Sequence, residues 1–144
     1  MGHWYHIHIS ERFLDPSAGT GMFISTLKDV PEIHCFEKDR LTGRILSSLY
    51  PKSRVTIDGF QSIQPYYNGY FDVVSSNIPF GNTRIYDRDF DQSDDPVRKS
   101  SLAAVHNYFF LKGMDTLRDG RYCRIDRWYR YQRGKRFEVG TSYS

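Results

Sequence analysis

Cysteine is scarce in this chain. The 144 residues hold two, Cys35 and Cys123, too far apart for a zinc or redox pair. That spacing sets aside disulfide scaffolds and thiol-metal sites and makes a reducing, cytoplasmic setting the expected one. Charge of one sign is also scarce. The formal net charge of +3 suits a nucleic-acid partner without requiring one. No apolar run is long enough to cross a membrane and no signal-peptide pattern is visible, so no membrane partner is expected. Repeats and low-complexity tracts are absent. Metal-ligand patterns are thin. Asp87, Asp89 and Asp91 have calcium-loop spacing, but Gln92 stands where that loop needs glycine and Arg98 where it needs the bidentate glutamate. His3, His6 and His8 come without an acidic or cysteine ligand, so no metal is expected. Aromatic residues are plentiful, with 11 Tyr and 10 Phe, and the length suits one domain or part of one.

Residues 13–24 organise the chain. Phe13 and Leu14 close a short apolar run, and Asp15-Pro16 ends it. Ser17, Ala18, Gly19 and Gly21 carry almost no side chain, so a ligand can approach bare backbone there. Residues 22–27 are expected to form a short helix whose first N–H groups would favour an anionic group. Such a turn suits a nucleotide-like cofactor. Taken alone, it also fits an ordinary strand-to-helix turn with convenient glycines.

Residues 33–37 read as a strand ending in an acid. Glu37 falls about twenty residues beyond the glycine turn, where open α/β sheets place a carboxylate for ribose hydroxyls; a surface glutamate at a strand end is the alternative. Leu41, Ile45, Leu46 and Leu49 share a helical face, and Pro51 ends that helix. Residues 54–60 read as a third strand. Residues 71–76 read as a fourth, running into Asn77-Ile78-Pro79-Phe80-Gly81. This order predicts an α/β fold with a mostly parallel sheet. Ligands in such sheets sit beyond the carboxyl ends of the strands, where the Gly19 turn, Glu37, Asp58 and Asn77 all fall.

Residues 83–99 read as a polar, mobile loop. Ser100 or Ser101 is expected to cap a helix running through Leu102, Val105, Phe109 and Leu117 to Gly120, with His106 as a packing residue. After Gly120 the apolar pattern stops. Arg121, Arg124, Arg127, Arg130 and Arg133 recur every third residue among Tyr and Trp, and no further strand is expected. Residues 121–144 read as a basic nucleic-acid surface, a solvated disordered tail, or an out-of-frame translation. The expected division is a leader over 1–11, a partial core over 12–120 and this tail.

With those positions fixed, the chain resembles S-adenosylmethionine-dependent DNA methyltransferases of the adenine-N6 type. The likeness is to methylases and methylase-helicases of bacterial mobile elements. It rests on Asp15-Pro16-Ser17-Ala18-Gly19-Thr20-Gly21, on Glu37, on Ser76-Asn77-Ile78-Pro79-Phe80, and on the segment 106–113. The resemblance implies a Rossmann-like methyltransferase core, incomplete here, with S-adenosyl-L-methionine as cofactor and DNA as partner. It implies that Asp15, Pro16, Ser17, Ala18, Gly19 and Gly21 hold the methionine part and Glu37 the ribose, with Asp58 and Phe60 near the adenine. Asn77, Ile78, Pro79 and Phe80 would form the catalytic motif. In it, Asn77 and the Ile78 carbonyl accept from the target amine, and Phe80 stacks on an extruded base.

The sequence departs from that pattern in places. Ile78 replaces a usual proline, Gly59 stands where relatives often carry an acid, and matching segments are missing before Arg12 and after Gly120, as in a fragment. An Asn-x-Pro-aromatic motif also serves glutamine and RNA-base methylation. A non-catalytic nucleic-acid-binding module is the reading from another class. A nicotinamide oxidoreductase fits less well, since Ile24 occupies the place of its third glycine. Oligomeric state is not readable from the sequence.

Overall fold

The computed structural model describes residues 11–27, 29–78 and 83–126, with the backbone alone from 120 to 126. The histidines before Glu11, the motif residues Pro79 and Phe80, and the chain from Arg127 onward lie outside the described residues. Five strands are present: β1 (Arg12–Asp15), β2 (Glu32–Phe36), β3 (Arg54–Thr56), β4 (Phe71–Asn77) and β5 (Leu117–Asp126). They pair in parallel in the order β3-β2-β1-β4-β5. This is the parallel α/β fold expected from the strand-helix alternation, in the Rossmann-like form that the resemblance implies. The chain works outward from β1 through β2 to β3, then crosses back to lay β4 on the other side of β1. The junction of β1 and β4 is therefore the topological switch point, where the strand ends open a crevice.

Burial on both faces explains the apolar runs. In β1, Phe13 and Leu14 are 2% and 0% exposed, as strands covered on both sides require. Successive residues supply opposite faces. Cys35 joins Ala18, Ile24 and Leu46 on one side, while Phe36 joins Leu14, Phe60, Phe71, Val74 and Tyr108 on the other. The first side is covered by α1 (Arg40–Leu49) and the second by α4 (Val105–Thr116). Each fully buried Phe or Leu contributes about 1.5–3 kcal/mol. Helix α1 begins where it does because the Asp39 carboxylate caps it, accepting from the Thr42 N–H at 2.7 Å.

Five local expectations are corrected. After the glycine turn there is no helix over 22–27, only a single 3-10 turn at Ile24–Thr26. Strand β3 stops at Thr56, and a 3-10 turn at Phe60–Ser62 replaces its expected second half. In α1 only Leu46 of the apolar stripe reaches the core; Leu41, Ile45 and Leu49 are exposed.

Residues 83–99 are not a featureless loop. They contain α2 (Arg88–Asp91) and most of α3 (Pro96–Ser101), capped by Asp87 and Asp95. Ser100 and Ser101 therefore close a helix rather than open one, their hydroxyls donating back to the carbonyls of Val97 and Arg98. The fifth correction is β5. Leu117–Asp126 pairs with β4, from Phe71↔Leu117 to Asn77↔Asp126 across a register shift. A strand at the edge of the described sheet has one free side, so basic residues there are tolerated and even useful against unwanted pairing.

Candidate cofactor and target-base site

The turn after β1 is closed by its own backbone and by β2. The Ser17 N–H donates to Asp15 Oδ1 at 3.1 Å, and the Ala18 N–H to the Phe36 carbonyl at 2.9 Å. The Gly19 N–H donates to Glu37 Oε2 at 2.8 Å, and the Gly21 N–H to the Ala18 carbonyl at 2.9 Å. These amides are engaged, so with no helix behind them the turn is not an anion cradle of the kind the sequence suggests. It is a tight shelf. Gly19 (φ +57°) and Gly21 (φ +92°) both take left-handed backbone, which favours glycine. A Cβ on Gly19 would meet nothing within 4 Å, so the shelf is open there. A Cβ on Gly21 would come within 2.4 Å of the Tyr50 ring, so this glycine is required by packing against α1 and its C-terminus.

Glu37 links the shelf to the end of β2. Its second oxygen, Oε1, accepts from the Asp39 N–H at 2.9 Å. A carboxylate offers about four lone-pair sites, so capacity remains on both oxygens for ligand hydroxyls. Asp58 is exposed beyond β3 and accepts from the Gly59 N–H at 2.7 Å. Phe60 is 1% exposed, and its ring packs between Phe36 and Phe109 at centroid distances of 5.7 and 5.5 Å. It supports the edge from within the core instead of presenting a face there.

Two buried oxygens at the switch point have no hydrogen-bond partner among the described residues, Asp15 Oδ2 and Asn77 Oδ1. Asp15 is fully buried. Its carboxyl is pushed up to about 7, chiefly by loss of solvent, with the nearby Glu37 charge adding to the rise. The Ser17 N–H and the Ser76 hydroxyl oppose it. That hydroxyl has one proton and also lies 3.4 Å from the Ser17 carbonyl, tying β4 to the turn. Cys35, paired in register with Asp15, has its thiol pushed well above the usual range by burial and then by the Asp15 charge. It is inert in this setting. Ile78 is buried directly after Asn77, at 3% exposure.

A second cluster was missed at the sequence level. Asp87 Oδ2 accepts from the Tyr108 hydroxyl at 2.6 Å and from Lys112 Nζ at 2.9 Å, all three buried. Its other oxygen caps α2. Burial opposes the Asp87 charge, but Tyr108 and Lys112 outweigh it and hold the carboxyl below its usual range. Desolvation and then the Asp87 bond push the Tyr108 phenol well above its own. With the Ile85 N–H bonded to the Leu102 carbonyl at 3.0 Å, the cluster pins residues 85–87 to α3 and α4, a few residues past the Asn77 motif. The spacing of Tyr108 and Lys112, one helical turn apart on α4, was the available signal.

Two cavities among the described residues lie away from these side chains. One of about 440 Å³ lies at the opposite, amino-terminal ends of β1 to β3, lined by Arg12, Glu32, Lys52, Arg54 and Tyr70. One of about 270 Å³ lies between α3 and α4. Among the described residues no group of His, Cys, Asp and Glu could hold a metal ion, and no helix is long and apolar enough to cross a membrane.

This arrangement has many relatives in solved structures. One is a phosphoethanolamine N-methyltransferase of Haemonchus contortus, solved with phosphoethanolamine and S-adenosylhomocysteine. It matches 94% of this chain and 26% of its own at 14% identity, with a TM-score of 0.60. The modification subunit of a putative type I restriction enzyme from Vibrio vulnificus matches over 81% and 30% at 16% identity, TM-score 0.59. A putative RNA methyltransferase from Pyrococcus horikoshii matches over 81% and 50% at 21% identity, TM-score 0.53. The fold is that of the S-adenosylmethionine-dependent methyltransferases. In sequence, the chain is 32% identical over 116 residues to the defense against restriction protein B of Escherichia phage P1. That match covers 78% of this chain, which spans 5% of the phage protein's length. No family model matches the chain.

Proposed function

We propose that residues 12–126 are the cofactor-binding core of an S-adenosylmethionine-dependent DNA methyltransferase acting on adenine N6. The observation that carries this reading is a pair of buried acceptors, Asp15 Oδ2 and Asn77 Oδ1, that have no partner among the described residues and lie at the switch point beside the Gly19 shelf. Buried polar atoms are normally paired, and two left unpaired at the ligand-bearing edge fit donors brought by a cofactor and a substrate amine. DNA is taken as the partner because the phage relative is named for defense against restriction and one structural relative is a restriction enzyme's modification subunit.

The residues present fit the cofactor. Asp15 and the 17–21 turn would hold its methionine end, Glu37 its ribose hydroxyls, and the Asp58 turn the side of its adenine. The cofactor supplies the electrophilic methyl group. An exocyclic amine is a poor nucleophile while its lone pair is delocalised into the ring. Asn77 Oδ1 and the Ile78 carbonyl, by accepting its hydrogens, favour the pyramidal amine and free the lone pair. In-line positioning and these preorganised dipoles then carry the barrier reduction. Phe80 would hold the extruded base by stacking, worth about 1–3 kcal/mol, and Pro79 would stiffen the turn between them.

The test is transfer of a tritiated methyl group from S-adenosyl-L-methionine to DNA by the chain, followed by nucleoside analysis. N6-methyladenine should form, and Asn77→Ala should slow it about a hundredfold, as loss of one such donor-acceptor contact typically does. Equal N6-methyladenine formation by Asn77→Ala would refute the mechanism. Label appearing only in protein glutamine or in RNA would refute the substrate.

A further inference from the structure

We propose that the amino-terminal edge of the sheet is a ligand site in its own right, taking a single nucleic-acid strand, with Arg12, Lys52 and Arg54 on its backbone phosphates and the Tyr66 ring on a base beside them. The cavity of about 440 Å³ at that edge is the site. The assignment is independent of the cofactor reading, which concerns the opposite ends of the same strands.

Backbone pairing brings the charges together. Arg12 and Glu32 are register partners on β1 and β2, and His34 and Arg54 on β2 and β3. Partners in register, and residues two apart along a strand, share a face, so one face of the sheet carries all four. Lys52 joins them from the turn before β3. The cavity lining holds three cations against one carboxylate, Glu32. That carboxylate already accepts from the Tyr70 hydroxyl and lies 2.8 Å from His34 Nε2. Lys52 and Arg54 are exposed and have no ion-pair partner among the described residues. Arg12 is held ready. Its guanidinium lies 4.3 Å from the Tyr70 ring centroid and donates to the Tyr70 carbonyl at 3.2 Å, which leaves further N–H donors for an acceptor in the cavity. A cleft lined mainly by cations concentrates anions, and a guanidinium fork matches the oxygens of a phosphate.

The aromatic rings at this edge select the kind of phosphate. Tyr67 packs on Tyr70 at a centroid distance of 5.2 Å, and Tyr66 on Tyr67 at 4.6 Å. The ladder ends at Tyr66, which is 72% exposed. An open ring beside a phosphate pocket suits a nucleic-acid strand, because every base has a face to stack. In a duplex the bases are already stacked on one another, so ring and pocket together fit a single strand.

The experiment is fluorescence anisotropy of a labelled oligothymidylate about 12 nucleotides long, titrated with the chain at several salt concentrations. Thymidine has no adenine amine, so the probe does not engage as a methyl acceptor. Lys52→Gln combined with Arg54→Gln should weaken binding about tenfold and reduce the salt slope by roughly 1. Tyr66→Ala should weaken binding about tenfold with the slope unchanged. Arg44→Gln combined with Lys99→Gln removes the same charge from exposed positions elsewhere and should change neither. Equal urea midpoints in all these proteins show that folding is intact. Binding by the Lys52 and Arg54 double variant equal to that of the Arg44 and Lys99 control would overturn the site. Loss in the first double variant with Tyr66→Ala unaffected, or an equal loss for a duplex of the same length, would overturn the single-strand assignment.

Discussion

Gly19 and Gly21 occupy the same turn but meet different surroundings, and replacing each with alanine separates ligand space from packing space. Both have positive φ, +57° and +92°, so either substitution carries left-handed strain of about 1–2 kcal/mol. At Gly19 nothing lies within 4 Å of the new Cβ, and the cost stops there. At Gly21 the Cβ would sit 2.4 Å from the Tyr50 ring and 3.0 Å from Leu46 Cδ1. Leu46 is buried in the α1 core, so Tyr50 must swing aside or α1 must shift, adding about 1–3 kcal/mol of overpacking. Gly21→Ala should therefore lose about 2–5 kcal/mol and Gly19→Ala about 1–2, read by urea denaturation at a common slope. Gly19→Asp is then the clean probe of ligand space, because its charge points into the open shelf, whereas Gly21→Asp would disrupt packing first. A Gly21→Ala variant as stable as Gly19→Ala would refute the packing role given to Tyr50 and Leu46.

The buried charges and the partner set four further outcomes. Asp15 titrates near 7 in the folded chain against 3.8 when unfolded, so the folded state holds the extra proton between those values. Its contribution to stability falls as pH rises from about 4 to 7, by roughly 4 kcal/mol; denaturation midpoints across that range should show the decline in the wild type and lose it in Asp15→Asn. Asp87 has the opposite sign: its carboxyl is held low by Tyr108 and Lys112, so its contribution is complete above the unfolded value and fades as pH drops below about 4. Lys112→Met leaves that buried carboxylate short of its cation and should cost on the order of 3–5 kcal/mol, measured by the same denaturation at pH 7. If DNA is the partner, its affinity should fall steeply with added salt in an anisotropy titration, and salt-independent binding would point away from a phosphate contact.

Much of the fold was legible because buried parallel strands announce themselves. Phe13-Leu14 and Phe71-Asp72-Val73-Val74 read as strands from their apolar content, and both pair where the order required. Glu37 was singled out from its distance to the glycine turn, and its carboxylate accepts from the Gly19 N–H. β5 was not legible. Its residues 117–126 are rich in charge, and their place is fixed by partnership with β4, a tertiary effect that overrides local pattern. The short helices in 83–99 were hidden for a related reason. Their apolar anchors are few, and what holds them is Asp87 reaching forward to Tyr108 and Lys112, a contact between residues far apart in sequence. The helix expected after Gly21 stops at one turn: the Ser25 N–H bonds to the Gly21 carbonyl, but the Thr26 and Leu27 N–H groups bond only three residues back, the Ser25 and Thr26 hydroxyls donate to the Met22 and Phe23 carbonyls, and Leu27 is extended.

The cofactor is proposed to lie at the carboxyl edge of the sheet, against the Gly19 shelf, and not in the basic cavity at the opposite edge. Amide chemical-shift mapping of the ¹⁵N-labelled chain with S-adenosylhomocysteine tests it directly. The largest shifts should fall on Ser17, Gly19, Glu37 and Asn77, with Arg12, Glu32 and Arg54 unmoved. Shifts centred on Arg12, Glu32 and Arg54, with Gly19 and Glu37 unchanged, would contradict it.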